Sequence, residues 1–505
     1  MANPLYDTLF GRHAGRTAPF LHLSDGSTVS YDAFLRLTAQ YANSFFSTGL
    51  APGDRLAAQI EKSPEALAVY AACVQAGIVF LPLNTGYTAD ELGYFVTDSG
   101  ARLLLCDGSK ADALASVAKS ADAQLMTLDA DGSGSLPDAA KDQPESFEAT
   151  ARSSDDLAAF LYTSGTTGRS KGAMLTQTNL LSNAETLVDY WAFTEKDVLL
   201  HALPIFHTHG LFVATNVILL AGASMIFLPK FDQDKVIENL PRATSMMGVP
   251  TFYTRLLDDP RFDRELIGHM RLFISGSAPL LAETHVAIEE RTGHRILERY
   301  GMTETNMNTS NPYEGERRAG TVGFPLPGVD LKITDPDSGK TLPQGEIGQI
   351  EVRGPNVFKG YWNMPEKTAE ELRSDGFFIT GDLGLIDEQG YVQIVGRNKD
   401  LIISGGYNIY PKEIELLLDE QPGVLESAVV GVPHPDFGET VVGFLVAQKG
   451  ATPDLDAIAE AAGASLARFK HPRKLIMLDE LPRNTMGKVQ KNILRAEYGD
   501  LFKSN

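Results

Sequence analysis

Cysteine is almost absent from this 505-residue chain, which has only Cys73 and Cys106. A disulfide scaffold and a thiolate metal cluster are thereby excluded, and a reduced, cytoplasmic setting is expected. Positive charge is also short, with 44 Lys and Arg against 65 Asp and Glu and a net charge of −21. That balance lacks the basic stripes that neutralise phosphates, so neither a nucleic acid nor an anionic membrane is an expected partner. No apolar block occupies the first twenty residues, where Asp7, Arg12 and Arg16 intervene, so no secretory signal is expected. One long uncharged stretch runs from Leu211 to Pro229. Its Thr215, Asn216, Gly222 and Ser224 fit a buried helix followed by a strand better than a membrane span.

What is present points to an ordinary globular protein. Hydrophobic residues make up 43% and charged residues 22%, so extended disorder is not expected, and the length suits two to four domains. Short apolar runs at Arg55–Gln59, Ile78–Pro82, Leu103–Cys106 and Gln124–Leu128 alternate with helical windows such as Pro64–Ala76. This alternation predicts an α/β fold: a large N-terminal domain of parallel-sheet βαβ subdomains, with residues 129–154 as a surface loop. After Gly390 the texture changes to short strands around the polar connector Gly396–Asp400, then an amphipathic helix opened by Pro411. The expected division is 1–396, a hinge at 397–400, and a small α+β domain at 401–505. Residues 461–505 carry nine basic side chains against four acidic ones, a local exception to the acidic chain.

The strongest chemical signal is Tyr162-Thr163-Ser164-Gly165-Thr166-Thr167-Gly168-Arg169-Ser170-Lys171-Gly172. Glycines let backbone N–H groups converge on an anion, and the hydroxyls and Lys171 add donors. The Walker pattern fails, because Ser170 stands where a glycine belongs and Gly172 where the magnesium-binding hydroxyl belongs. A phosphate-binding loop of another type is expected, with its metal ligand elsewhere. Tyr300-Gly301-Met302-Thr303-Glu304 offers a hydroxyl beside a carboxylate for phosphate oxygens and a hard cation, although a helix N-cap would read the same way. Thr380-Gly381-Asp382 suits two ribose hydroxyls, and an aspartate in a turn is its bland counterpart.

Taken in order with Gly396-Arg397-Asn398-Lys399-Asp400 and Pro482-Arg483-Asn484-Thr485-Met486-Gly487-Lys488, these motifs resemble the adenylate-forming superfamily of acyl-CoA synthetases, peptide-synthetase adenylation domains and luciferases. Within it, the stretches 201–216, 248–257 and 298–311 look most like malonyl-CoA synthetases. The resemblance implies a β-rich subdomain in the large domain, a mobile C-terminal domain, and ATP, coenzyme A and Mg²⁺ as co-substrates and cofactor. It implies that Thr163, Ser164, Gly165, Thr166, Thr167, Gly168 and Lys171 hold the β- and γ-phosphates, Glu304 the metal, and Thr303 the α-phosphate. Asp382 and Arg397 would hold the ribose, and Ser277, Ala278, Pro279, Glu298, Arg299, Tyr300 and Gly301 would face adenine. Lys488 would stabilise charge at the α-phosphate, Asp400 would be the hinge, and Gly405 and Gly406 would reach the pantetheine tunnel.

For the acid, the resemblance implies a small dicarboxylate, malonate or methylmalonate. Arg255 is the expected partner of the distal carboxylate, with Ser277 and His207 on the same wall. Asp258 and Asp259, three and four residues on, would instead make Arg255 a surface ion pair. His207 and His209 could suggest a metal, but no third ligand accompanies them, and His209 stays open between wall and structural roles. The rivals are a ligase for another short or thioether acid, a stand-alone adenylating enzyme, and a nucleotide-binding regulator without turnover. The 17 residues beyond Lys488 leave no room for a carrier domain, which favours coenzyme A as acceptor. A lysine acetyltransferase and deacetylase acting on Lys488 would be a partner pair that removes and restores its charge.

Overall fold

The computed structural model describes residues 2–163, 170–404, 407–484 and 487–502. Packing divides the chain into two units: residues 1–330 with 352–378, and residues 331–351 with 379–505. The four-stranded sheet that includes residues 379–397 thus groups with the C-terminal residues.

The larger unit is built on two sheets. In the first, Gln124–Thr127, Leu103–Cys106, Arg55–Gln59, Val79–Pro82 and Leu157–Thr163 lie side by side and parallel, with Lys171–Thr176 antiparallel at the edge. The second has nine strands, and its central six, from Leu297–Met302 through to Pro19–His22, are parallel. The strands Val79–Pro82, Leu103–Cys106 and Leu272–Ser275 are buried along their whole length and read as largely apolar runs, as parallel strands do. Between them the expected helix Pro64–Ala76 forms with its limits as read: Ser63 caps it by accepting from Ala66 N–H, Pro64 pre-sets the first turn, and Gly77 ends it at φ 70°.

Two local differences have physical causes. Residues 129–154 contain a helix, Ser135–Ala140, which buries Leu136 and Ala140; one apolar turn in a polar stretch gives too little periodicity to be seen. The uncharged stretch begins inside a buried π-helical turn, His209–Thr215, before the helix Asn216–Ala221 and the strand Ser224–Phe227. Among the described residues no helix is long and apolar enough to cross a membrane.

The smaller unit has the four-stranded sheet Asp330–Thr334, Gly348–Arg353, Phe378–Ile386, Val392–Arg397. A second sheet is centred on the antiparallel pair Val424–His434 and Gly438–Ala447, against which the helix Pro411–Asp419 packs. The fold is therefore mixed α/β with a separate α+β C-terminal part, as expected.

Buried histidines make the larger unit sensitive to acid. His13 is 4% exposed, lies 2.7 Å from the Leu219 carbonyl and packs on Tyr31. Burial pushes its pKa down to about 4. The unfolded chain therefore takes up this proton first as pH falls from 6.5, and stability is lost through the window down to about 4. Buried His201 and His209 are displaced in the same direction. The urea midpoint is expected to fall between pH 7 and pH 5, and His13→Gln should reduce the stability lost over that range by about 2 kcal/mol. An unchanged slope in His13→Gln would contradict this.

Candidate active site

The residues expected to bind phosphate lie on one hairpin and one turn of the larger unit. Thr163 ends one strand and Lys171 begins the next, paired directly in the antiparallel register. Ser164, Gly165, Thr166, Thr167 and Gly168, which the sequence assigns to phosphate binding, lie outside the described residues. Thr303 and Glu304 sit in the turn between Leu297–Met302 and Asn306–Ser310, not at a helix N-terminus. A Cβ on Gly301 would come within 1.9 Å of the Asn306 carbonyl, so only glycine lets this hairpin close.

Two residues unnoticed in the sequence join these parts. Thr163 Oγ1 donates to Glu304 Oε1 at 3.3 Å, and the Tyr361 hydroxyl lies 3.1 Å from the same oxygen and 2.6 Å from Glu371 Oε2. Lys171 Nζ meets both Glu371 oxygens at 3.1 and 3.2 Å and lies over the Tyr361 ring at 4.1 Å. Burial, then the Glu304 and Glu371 carboxylates, push the Tyr361 phenol far up, so it stays a donor. Burial works against charge on Glu371, but Tyr361, Lys367 and Lys171 outweigh it and hold the carboxyl below its ordinary range. The two candidate phosphate groups and the candidate metal ligand are thus one connected network.

In the smaller unit, antiparallel pairing sets Asp382 opposite Arg397, with Oδ1 2.9 Å from Nε. Gly381, at φ 73°, turns the strand just before Asp382, whose N–H donates to Thr380 Oγ1. Both ribose candidates are therefore adjacent, Asp382 buried and Arg397 exposed. Asp400 pairs with Arg495 at 2.7 Å. Lys488 is exposed, and its N–H donates to Asn484 Oδ1 at 3.0 Å. Gly405 and Gly406 lie outside the described residues.

The third cluster forms at the carboxyl ends of the parallel strands in the nine-stranded sheet, where the strand order reverses beside Val198–His201. Open α/β sheets bind ligands at such a place. Register aligns His201 with Met247, Gly248 with Ser275, and Ser275 with Glu298, so the next residues of each strand crowd together. Ser277 adopts φ 72°, a strained value for a non-glycine residue. Its hydroxyl lies 3.2 Å from His209 Nδ1. His209 is buried, its Nε2 has no hydrogen-bond partner among the described residues, and burial, then Arg299, depress its pKa so that it is neutral.

Arg299 is the unexpected member. The sequence assigns its backbone to adenine, yet its side chain is 4% exposed and packs under Gly276, where a Cβ would come within 2.4 Å of the guanidinium. Its Nε and Nη2 are buried without a hydrogen-bond partner among the described residues, and burial brings its pKa down to about 9. His207 is half-buried with its ring against Phe206. Ala278 and Pro279 follow Ser277 towards the surface, and Tyr300 continues the strand from Arg299. Arg255 is exposed on the helix Pro250–Leu257, with its guanidinium 5.9 Å from the Phe231 ring centroid. The ion pair with Asp259 does not form, because Asp259 is held by Arg261 and Gln233. Among the described residues, no group of three or more His, Cys, Asp or Glu could hold a metal by itself.

A glycine-rich hairpin tied to Glu304 and a buried arginine at strand ends, both within the larger unit, suit an enzyme that activates an acid with a nucleotide. Residues 10–362 match the model of the AMP-binding enzyme family and residues 413–488 that of the AMP-binding enzyme C-terminal domain; the chain belongs to this family. Among its relatives is a crystal structure of ATP-bound MatB from Rhodopseudomonas palustris, 59% identical over the whole of both chains with a TM-score of 0.98. The malonate–CoA ligase of Arabidopsis thaliana is 37% identical, covering 88% of this chain and 78% of its own. The feruloyl-CoA synthase of an Amycolatopsis species is 36% identical, covering 94% and 95%.

Proposed function

We propose that the chain ligates malonate, with methylmalonate as its nearest alternative, to coenzyme A in two half-reactions at one site. The acid carboxylate attacks the α-phosphorus of ATP, forming malonyl-adenylate and releasing pyrophosphate. The coenzyme A thiol then loses its proton and attacks the acyl carbon, and AMP leaves. A malonate ligase and a feruloyl-CoA synthase are about equally similar to this chain, so likeness at that level does not choose the acid. The observation that carries the choice is the buried guanidinium of Arg299, which has unpartnered donors beside Ser277 and His209. An unpaired buried cation costs several kcal/mol, and a dicarboxylate brings the anion that offsets it. Arg255, exposed and without an ion pair among the described residues, is a second cation available to the distal carboxylate as the acid enters.

Pyrophosphate release over malonate, methylmalonate, succinate, acetate and butyrate tests this reading. Malonate is expected to give the highest kcat/KM; a monocarboxylate outperforming it would overturn the choice of acid.

Glu304 fits Mg²⁺, which is commonly held by one or two carboxylates together with substrate phosphates rather than by an all-protein cage. The ion would neutralise phosphate charge during adenylation. Thr163 and Tyr361 orient the Glu304 carboxylate, and Lys171 exchanges Glu371 for a phosphate when the nucleotide enters. Tyr361→Phe should therefore raise KM for MgATP about tenfold, the cost of one hydrogen bond to a charged group, with KM for malonate unchanged. Parallel changes in both constants would make Tyr361 merely structural.

Asp382 and Arg397 hold the ribose, and Lys488 supplies charge at the α-phosphate. Turning of residues 401–505 about Asp400 then withdraws Lys488 for the thiol step and brings Gly405-Gly406 to the pantetheine. A lysine acetyltransferase acting on exposed Lys488 would switch adenylation off, and a deacetylase would restore it. The two buried free thiols fit a cytoplasmic setting.

A further inference from the structure

Lys62 stands between the strand Arg55–Gln59 and the N-cap Ser63, with its side chain turned into the core and only 8% exposed. A buried lysine without a carboxylate is costly, and an apolar residue of the same length would fill the space at no such cost. Its contacts are instead with one histidine and one ring. Nζ donates to the His201 carbonyl at 2.8 Å, lies 2.9 Å from His201 Nδ1, and sits 4.3 Å from the centroid of Phe227.

That arrangement decides where the imidazole proton resides. The Gly210 carbonyl can only accept, so the single proton of neutral His201 is placed on Nε2, and Nδ1 accepts from Lys62 in either charge state of the amine. Nε2 lies 2.9 Å from the Gly210 carbonyl, an acceptor that needs a donor. The same carbonyl accepts from Thr215 Oγ1 at 2.9 Å. Gly210 belongs to the π-helical turn His209–Thr215, a geometry that recurs at functional sites. It is locked from the other side too, since a Cβ there would come within 2.0 Å of the Pro204 carbonyl oxygen. The turn begins with His209, whose Nδ1 meets Ser277 beside Arg299.

We propose that Lys62 is a positioning residue for the acid pocket: it fixes His201 as the Nε2–H tautomer, and through the Gly210 carbonyl it fixes the π-turn that presents His209 to Ser277. This rests on reading the His209–Ser277–Arg299 cluster as the acid pocket.

Lys62→Met keeps the length of the side chain and removes the donor. It is expected to raise KM for malonate about tenfold, the effect of about 1.4 kcal/mol, with KM for MgATP within about twofold. Adding His201→Gln, whose amide can donate to Gly210 without help from position 62, should bring the malonate KM back towards wild type. In [¹⁵N]histidine-labelled wild-type enzyme, His201 should show a fixed Nε2–H pattern from pH 6 to pH 9, assigned by its loss in His201→Gln. Lys62→Met should convert it to a tautomer mixture. An Nδ1–H tautomer in the wild type, or parallel rises in both KM values, would overturn the proposal. So would an unchanged malonate KM in folded Lys62→Met. Should that variant fail to fold, the wild-type spectrum alone decides. If the wild type prefers a monocarboxylate, the KM split is read with that acid, and only the choice of malonate falls.

Discussion

Lys488→Ala is expected to lower the rate of malonyl-adenylate formation by about 10³-fold, while thioester formation from supplied malonyl-adenylate stays largely intact. Adenylation brings an anionic nucleophile against a polyanion, so charge placed at the α-phosphorus acts mostly in the transition state. Removing one neutral donor aimed at developing charge costs on the order of 10²–10³-fold, and a full positive charge reaches the upper end. The second half-reaction attacks an acyl carbon, and the proposed turn about Asp400 has by then taken Lys488 away from the phosphate. Pyrophosphate exchange reads the first step, and single-turnover thioester formation from synthetic adenylate reads the second. Equal losses in both would show that Lys488 holds the C-terminal unit together instead. The structure makes a fold defect in this variant unexpected, because the residue is exposed.

The candidate site was legible where the chemistry is local. Thr163 and Lys171 lie within one glycine-rich stretch, so the sequence could group them, and antiparallel register then set them opposite each other. Asp382 and Arg397 were each recognisable, but only the pairing of two strands shows that they touch. Tyr361 and Glu371 were not legible, because Glu371 meets Lys171 across 200 residues and no local pattern marks either partner. The π-helical turn escaped for another reason. Seven residues, mostly apolar or small, carry no periodicity that separates a π-turn from an α-helix. Arg299 did leave a signal: a Glu298-Arg299 pair inside a strand that should be buried on both faces. Charged residues there need a partner or a purpose, and reading them as backbone neighbours of adenine overlooked their side chains.

Arg299 yields a prediction in which stability and activity move in opposite directions. Arg299→Met removes the charge and keeps most of the side-chain length, so the space under Gly276 stays filled. With malonate, the distal carboxylate would then be buried unpaired, at a cost of about 3–5 kcal/mol. Converted at 1.36 kcal/mol per factor of ten, that is a loss of about 10²–10⁴-fold in kcat/KM. With butyrate no second charge arrives, and the wild-type pocket is the costly one. Arg299→Met should therefore hold or raise kcat/KM for butyrate and reverse the preference between the two acids. The free enzyme should gain stability, because Nε and Nη2 of Arg299 are buried without partners before substrate arrives. A higher Tm together with malonate-selective loss is the combined signature, read by thermal unfolding and by pyrophosphate release on both acids. A lower Tm with parallel losses on malonate and butyrate would make the guanidinium a packing element, and the second charge of the acid would then have to be met by exposed Arg255. The exposed position gives its own discriminating value: Arg255→Ala leaves no buried acceptor or donor behind, so its malonate loss should be about tenfold or less, well below that of Arg299→Met.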